Sequence, residues 1–214
     1  MIDPLTATKQ QLYDQGVQIA SEFCLLNGIS LPEFLTYAEA NARESEDRAF
    51  KLLRKLQDGE LQGTRTGYYY DGHVFVNVPV TAKPSPHPIR QKRSYPGNKV
   101  DRTATGVVAH EVGHHVDEIL EAQRVHSSRR CSSWVNLTKN SKAVSGYEEV
   151  PSEVWAETMR LFILNPDLLR QGSPKRYAYL VDIVRLHPIV QDDFRKVLSH
   201  PEYIVEAEKW IARP

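Results

Sequence analysis

One segment of the 214 residues carries side chains spaced for chemistry: Val107-Val108-Ala109-His110-Glu111-Val112-Gly113-His114-His115-Val116-Asp117. On an α-helix, residues four apart differ by about 40° in direction and ~6 Å in rise. His110 and His114 therefore project from one face and can set two imidazole nitrogens on one tetrahedral ion. Glu111 lies about 100° round from His110. It is too close in sequence to share the ion comfortably, but it can reach a water bound there. Catalytic zinc takes three protein ligands and keeps a fourth position open, so a third ligand must come from downstream. Val108, Val112, Val116 and Ile119 form an apolar stripe beside the histidine face, as a half-buried helix requires. Asp101 or Thr103 can cap the start of the helix.

Other polar residues read differently. His115 points about 100° away from His114, toward the apolar stripe, which suits packing or support better than ligation. Asp117 follows His114 by three residues and His110 by seven, so it shares their face and can hydrogen-bond an imidazole or nearby backbone. His73, His87, His187 and His200 lie beside turns or prolines and read as surface residues. Cys24 sits in an apolar helix face and Cys131 in a polar stretch, with no CxxC pairing. Two lone cysteines exclude a disulfide framework and a Cys-rich zinc ribbon. Any zinc must then be held by histidine and carboxylate, the style of a catalytic site. Carboxylates concentrate downstream at Glu148, Glu149, Glu153 and Glu157.

With these residues in view, the sequence resembles the zincin metallopeptidases, which share the order of strand, loop and His-Glu-x-x-His helix. A metzincin would need Gly at position 117 and His at 120, where this chain has Asp117 and Leu120. The resemblance is therefore to gluzincins, whose third ligand is a Glu on a later helix. The stretch Glu153-Val154-Trp155-Ala156-Glu157, running on to Leu164-Asn165-Pro166, is similar to short bacterial and phage peptidases of the ImmA/IrrE type. In those, the ligand Glu is followed by Ala at three residues, a polar residue at four and Pro at thirteen. Ala156, Glu157 and Pro166 match that spacing, although the family usually has Asn where Glu157 stands and other gluzincins have Asp. The resemblance spans roughly Tyr68 to Pro166. It implies His110, His114 and Glu153 as metal ligands, Zn2+ as cofactor, and Glu157 as an acceptor behind a ligand histidine. Glu153 and Glu157 lie four apart on one helical face, so an exchange of their roles stays open.

The mechanism this implies is hydrolysis of a protein or peptide substrate. Zinc lowers the pKa of its water toward neutrality. Glu111 takes the water proton and passes it to the leaving amine. A nearby donor stabilises the oxyanion, with Tyr147, His126, Tyr177 and Arg160 as candidates. The run from Val74 to Val78 can pair with an extended peptide, as edge strands do.

The elements that must position these residues suggest an α+β fold, mostly helical, with a small antiparallel sheet. Leu12, Ile19, Phe23 and Leu26 recur at helical spacing until Asn27-Gly28. Ser30 and Glu33 look like a capping box opening a second helix through Phe34, Leu35 and Ala38. A third helix carries Phe50, Leu53 and Leu56 and stops at Asp58-Gly59. Tyr68 to Tyr70 and His73 to Val78 flank Asp71-Gly72, a hairpin signal and the one strand region the sequence declares. Residues 81 to 102 read as a proline-rich basic loop, either a solvated surface loop or a wall of a binding cleft that prefers an acidic partner. Residues 122 to 146 read as a polar, basic excursion, and a further helix runs from Pro151 to Asn165-Pro166. No interdomain linker is visible. One domain over 1–214 is expected, with a helical part at 1–60, a catalytic core at 61–166 and a helical part at 167–214.

Composition narrows the function classes. Lys plus Arg and Asp plus Glu are both 27, with 41% hydrophobic and 25% charged residues. A chain of this length and balance buries a core without metal or disulfide staples, so a metal would serve chemistry. Zero net charge argues against a generic nucleic-acid binder, although the basic stretches leave a nucleic-acid-associated protease as one reading. No membrane span and no secretory leader are visible, which suggests a cytoplasmic protein, or one of host cytoplasm or virion if phage-encoded. The competing class is a structural or interaction protein, such as a phage or virion component, that retains a zincin-like site with little turnover. Glu111 argues against it, because a structural site needs no base there.

Overall fold

The structure is a computed structural model and describes residues 6–43, 47–58, 66–83, 101–190, 193–198 and 200–213. The proline-rich part of the basic loop, 84–100, lies outside the described residues, as do His87 and the turn after Asp58. Helix α1 spans Lys9–Leu26, opened by a Thr8–Gln11 capping box and closed at Asn27, with Gly28 at φ 63°. Strand β1 (Glu33–Thr36) and a short helix α2 (Tyr37–Ala42) follow, then α3 (Arg48–Asp58). Strands β2 (Gly67–Tyr70) and β3 (His73–Val76) form a hairpin around Asp71 and Gly72. Both turn residues have positive φ, as a tight two-residue hairpin loop requires.

The region 33–36 departs from the sequence expectation. It is a strand, paired in parallel with β3 from Glu33↔His73 to Thr36↔Val76. The working capping box lies later: the Thr36 hydroxyl accepts from the Glu39 N–H at 3.2 Å and the Glu39 carboxylate accepts from the Thr36 N–H at 2.7 Å. A capping signature is local, whereas Leu35 and Phe75 are both buried in one small core with Phe50 and Leu53. That tertiary contact decides the conformation of residues 33 to 36. The sheet is consequently mixed, in the order β1-β3-β2, with β2 antiparallel to β3.

The order corrects a second expectation. β3 is the central strand and is hydrogen-bonded on both sides, so it has no edge to offer a peptide. β1 and β2 are the sheet's two edge strands among the described residues.

Helix α4 (Ala104–Ala122) crosses the molecule between α1 and α6 (Pro151–Leu164). The polar excursion between them is not all irregular, since it contains α5 (Ser132–Lys139). Helices α7 (Pro166–Gly172), α8 (Pro174–Ala178), α9 (Phe194–Val197) and α10 (Pro201–Ala212) complete the chain. The main core joins residues of α1, α4, α6, α7 and α10, so the first and last helices share one apolar interior. Lys142, in this basic excursion, donates to the carbonyls of Trp210, Ile211 and Arg213 at the end of α10. Among the described residues, no helix is long and apolar enough to cross a membrane.

Candidate metal centre

The site rests on how closely α6 approaches α4. A Cβ at Gly113 would lie 2.9 Å from the Ala156 Cα, so the two helices touch through their smallest residues. The Trp155 indole N–H donates to the Gly113 carbonyl at 2.9 Å and fixes the register. Thr103 caps α4 by accepting from the Gly106 N–H, and the buried Asp101 accepts from the Thr103 N–H at 2.9 Å. Both proposed capping residues therefore act in series. His115 is buried, 2.7 Å from the Ser30 carbonyl through Nε2 and 3.1 Å from the Tyr69 hydroxyl through Nδ1. It ties α4 to the sheet.

This packing brings His110, His114 and Glu153 together, with one ligand atom from each within 4.8 Å of the others. Glu153 Oε2 lies 3.0 Å from His110 Nε2 and 3.7 Å from His114 Nε2. Two ligands at zinc-bond lengths on a tetrahedral ion sit ~3.3 Å apart, and the observed separations straddle that value. Glu157 lies on the other side of the ring, with Oε1 2.8 Å from His110 Nδ1. Its carboxylate also accepts from Arg160 at 3.1 and 2.9 Å, and both residues are buried.

The charges explain why the cluster wants a cation. Burial pushes Glu157 up, but the Arg160 charge and the His110 bond outweigh it and hold its carboxyl at about 2. An ionised Glu157 can only accept, so His110 carries its proton on Nδ1. Neutral His110 then turns the lone pair of Nε2 toward Glu153 Oε2, which is buried and accepts no aligned hydrogen bond. Two facing acceptors need a positive charge between them. In the metal-free protein that charge is a proton: burial lowers His110, but the flanking carboxylates of Glu153 and Glu157 outweigh this and raise it to about 10. Burial likewise pushes Glu153 up, and the two histidines hold it well below the ordinary carboxylate range. A divalent ion on three such atoms meets the same need, so the residues fit zinc.

The cluster opens into a cleft of about 770 Å³ lined by β2, α4 and α6. Glu111 is 8% exposed and lines this cleft. Gly67 at the start of β2 lies so near that a Cβ there would be 2.6 Å from Glu111 Oε1. Tyr147 also lines the cleft, its ring centroid 5.9 Å from that of His110. The other expected oxyanion donors lie elsewhere. His126 is buried, stacked on Trp155 at 4.2 Å and against Trp134 and Tyr179. Arg160 is committed to Glu157, and Tyr177 packs on Phe162. Asp117 accepts from the backbone N–H and the hydroxyl of Ser128, so it anchors a loop. The described cleft walls are mostly acidic, with Arg102 and Arg129 as the arginines among them. The expectation of basic walls therefore holds for few of the described residues.

Sequence reasoning missed Arg160 as the partner of Glu157, though their i,i+3 spacing carried the signal. It also missed Ser128 and Ser30, whose contacts are long-range and leave no local trace.

The geometry is that of a zincin-type metal site: a His110-Glu111-x-x-His114 helix with a distal Glu153. Comparison with protein families, curated proteins and solved structures finds no match to the chain.

Proposed function

We propose that the protein is a zinc-dependent peptidase. The observation that carries the reading is the convergence of three acceptor atoms, from His110, His114 and Glu153, at the floor of a cleft that also presents Glu111. Zinc held by these three residues supplies Lewis acidity and lowers the pKa of water toward neutrality. Glu111 acts as general base on the attacking water and returns the proton to the leaving amine. Glu157, held ionised by Arg160, keeps the His110 ring oriented with Nε2 toward the ligand position. Tyr147, which lines the cleft, supplies the donor that stabilises the oxyanion. The outer side of β2, which pairs with no other strand among the described residues and lies beside Glu111, is where an extended substrate pairs.

The test is Glu111→Gln. The variant keeps one zinc per chain and loses cleavage of a denatured protein by about 10²- to 10⁴-fold. Retained cleavage overturns the mechanism. A wild-type chain that binds zinc and cleaves nothing supports the structural or interaction role instead.

A further inference from the structure

The cleft beside the metal cluster carries an arginine with no assigned role. Arg129 lines it at the exposed rim. Its backbone is fixed from behind, because Ser128 is fully buried and gives its N–H to Asp117 Oδ1 at 2.8 Å and its hydroxyl to Oδ2. Asp117 stands on the histidine face of α4, three residues beyond His114, so the pin that locates Arg129 is built into the metal helix.

Several carboxylates of the described walls are already paired with cations. Glu121 pairs with Arg130 at 3.0 Å and Glu157 with Arg160. Arg102 also has an interaction within the protein. Arg129 has no hydrogen bond or ion pair among the described residues. It is a cation in these walls left for a ligand to neutralise. A guanidinium matches a carboxylate with two parallel N–H bonds, a geometry no neutral group reproduces.

We propose that Arg129 is a specificity-determining residue that receives a substrate carboxylate, so that acidic peptides are preferred. The carboxylate is that of an acidic side chain or of a peptide C-terminus. The proposal rests on the peptidase reading for the direction of approach, and binding tests it without turnover.

The probes are decapeptides with either Glu or Gln at one scanned position, each with a free or an amidated C-terminus. They are titrated against the full-length, zinc-loaded Glu111→Gln protein by fluorescence anisotropy. Carboxylate-bearing peptides bind about three- to tenfold tighter than their neutral counterparts at low salt, and the difference shrinks at high salt. A preference for Glu over Gln assigns the contact to a side chain, and a preference for acid over amide assigns it to the C-terminus. Adding Arg129→Glu abolishes the preference, while circular dichroism and zinc content stay unchanged because the residue is exposed. Equal binding of charged and neutral peptides, no binding of any, or a preference that survives Arg129→Glu overturns the proposal. The peptidase reading fails separately, in a wild-type chain that binds acidic peptides and cleaves none of them.

Discussion

His110 Nδ1 lies 2.8 Å from Glu157 Oε1 while its Nε2 faces Glu153 Oε2 at 3.0 Å, so one imidazole is held between two carboxylates of the same helix. The arrangement separates two residues that helical spacing alone leaves interchangeable. Glu153 stands on the Nε2 side shared with His114, and Glu157 stands behind, tied to Arg160.

Their substitutions should therefore differ in kind. Glu153→Ala removes a ligand and loses stoichiometric zinc. Glu157→Gln keeps zinc but weakens affinity by about 10- to 100-fold, the usual effect of losing a carboxylate behind a ligand histidine. Competition with a chromophoric chelator reads both, and the reverse order would exchange the roles.

Arg160→Met removes one of the two cations on the buried carboxylate of Glu157 and leaves it only His110. Breaking a buried pair from one side costs about 3–5 kcal/mol. Chemical denaturation of the metal-free protein should show a loss of that order, and the double variant Arg160→Met, Glu157→Leu should recover part of it.

Zinc affinity should rise with pH. His110 in the metal-free protein keeps its proton up to about pH 10, against an ordinary value of 6.5, so the metal must displace it. Displacing one proton makes the apparent affinity increase about tenfold per pH unit until it levels near that value. The same shift stabilises the metal-free fold, fully below pH 6.5 and no longer once the pH has passed about 10. Calorimetry in buffers of different ionisation enthalpy should count about one proton released per ion at pH 7. A count of zero would contradict the charge assignment.

His126 predicts an acid-labile core. Burial holds it neutral and lowers it to about 4, while the unfolded chain binds a proton near 6.5. The unfolded state binds more protons between these values, so stability falls as the pH drops from 6.5 to 4, on the order of 3 kcal/mol in total. His126→Phe preserves the stacking on Trp155 and should flatten the stability profile in that window. An unchanged slope would assign the acid sensitivity elsewhere.

Gly113→Ala tests the helix contact on which the site depends. The added methyl would meet the Ala156 Cα at 2.9 Å and the Met159 Cβ at 3.0 Å. Overpacking of this kind costs about 1–3 kcal/mol. It should also weaken zinc binding, because any widening of the α4–α6 gap moves Glu153 away from the histidines.

Much of the site is legible in the residues themselves. His110, Glu111 and His114 are one turn of one helix, and a four-residue spacing on a helix allows a single outcome for which side chains align. The end of α1, the start of α4 and both ends of α6 follow from caps and prolines within a few residues. The element that failed, residues 33 to 36, failed because a capping signature carries no knowledge of the open side of β3 waiting to pair.

By itself, the sequence determined the helix periods, the hairpin turn at Asp71-Gly72, the absence of a cysteine site and the pair of imidazoles on one face. These depend on neighbours within a few residues, where backbone geometry is nearly constant. Only the tertiary structure decided which glutamate faces both histidines, which strand lies at the centre of the sheet, and which polar residues are buried supports rather than cleft groups. Those answers depend on the depth at which α6 settles onto α4 and on the order of strands in the sheet. Both are set by the packing of Gly113, Ala156, Leu35 and Phe75 across long stretches of chain, where no local spacing rule reaches.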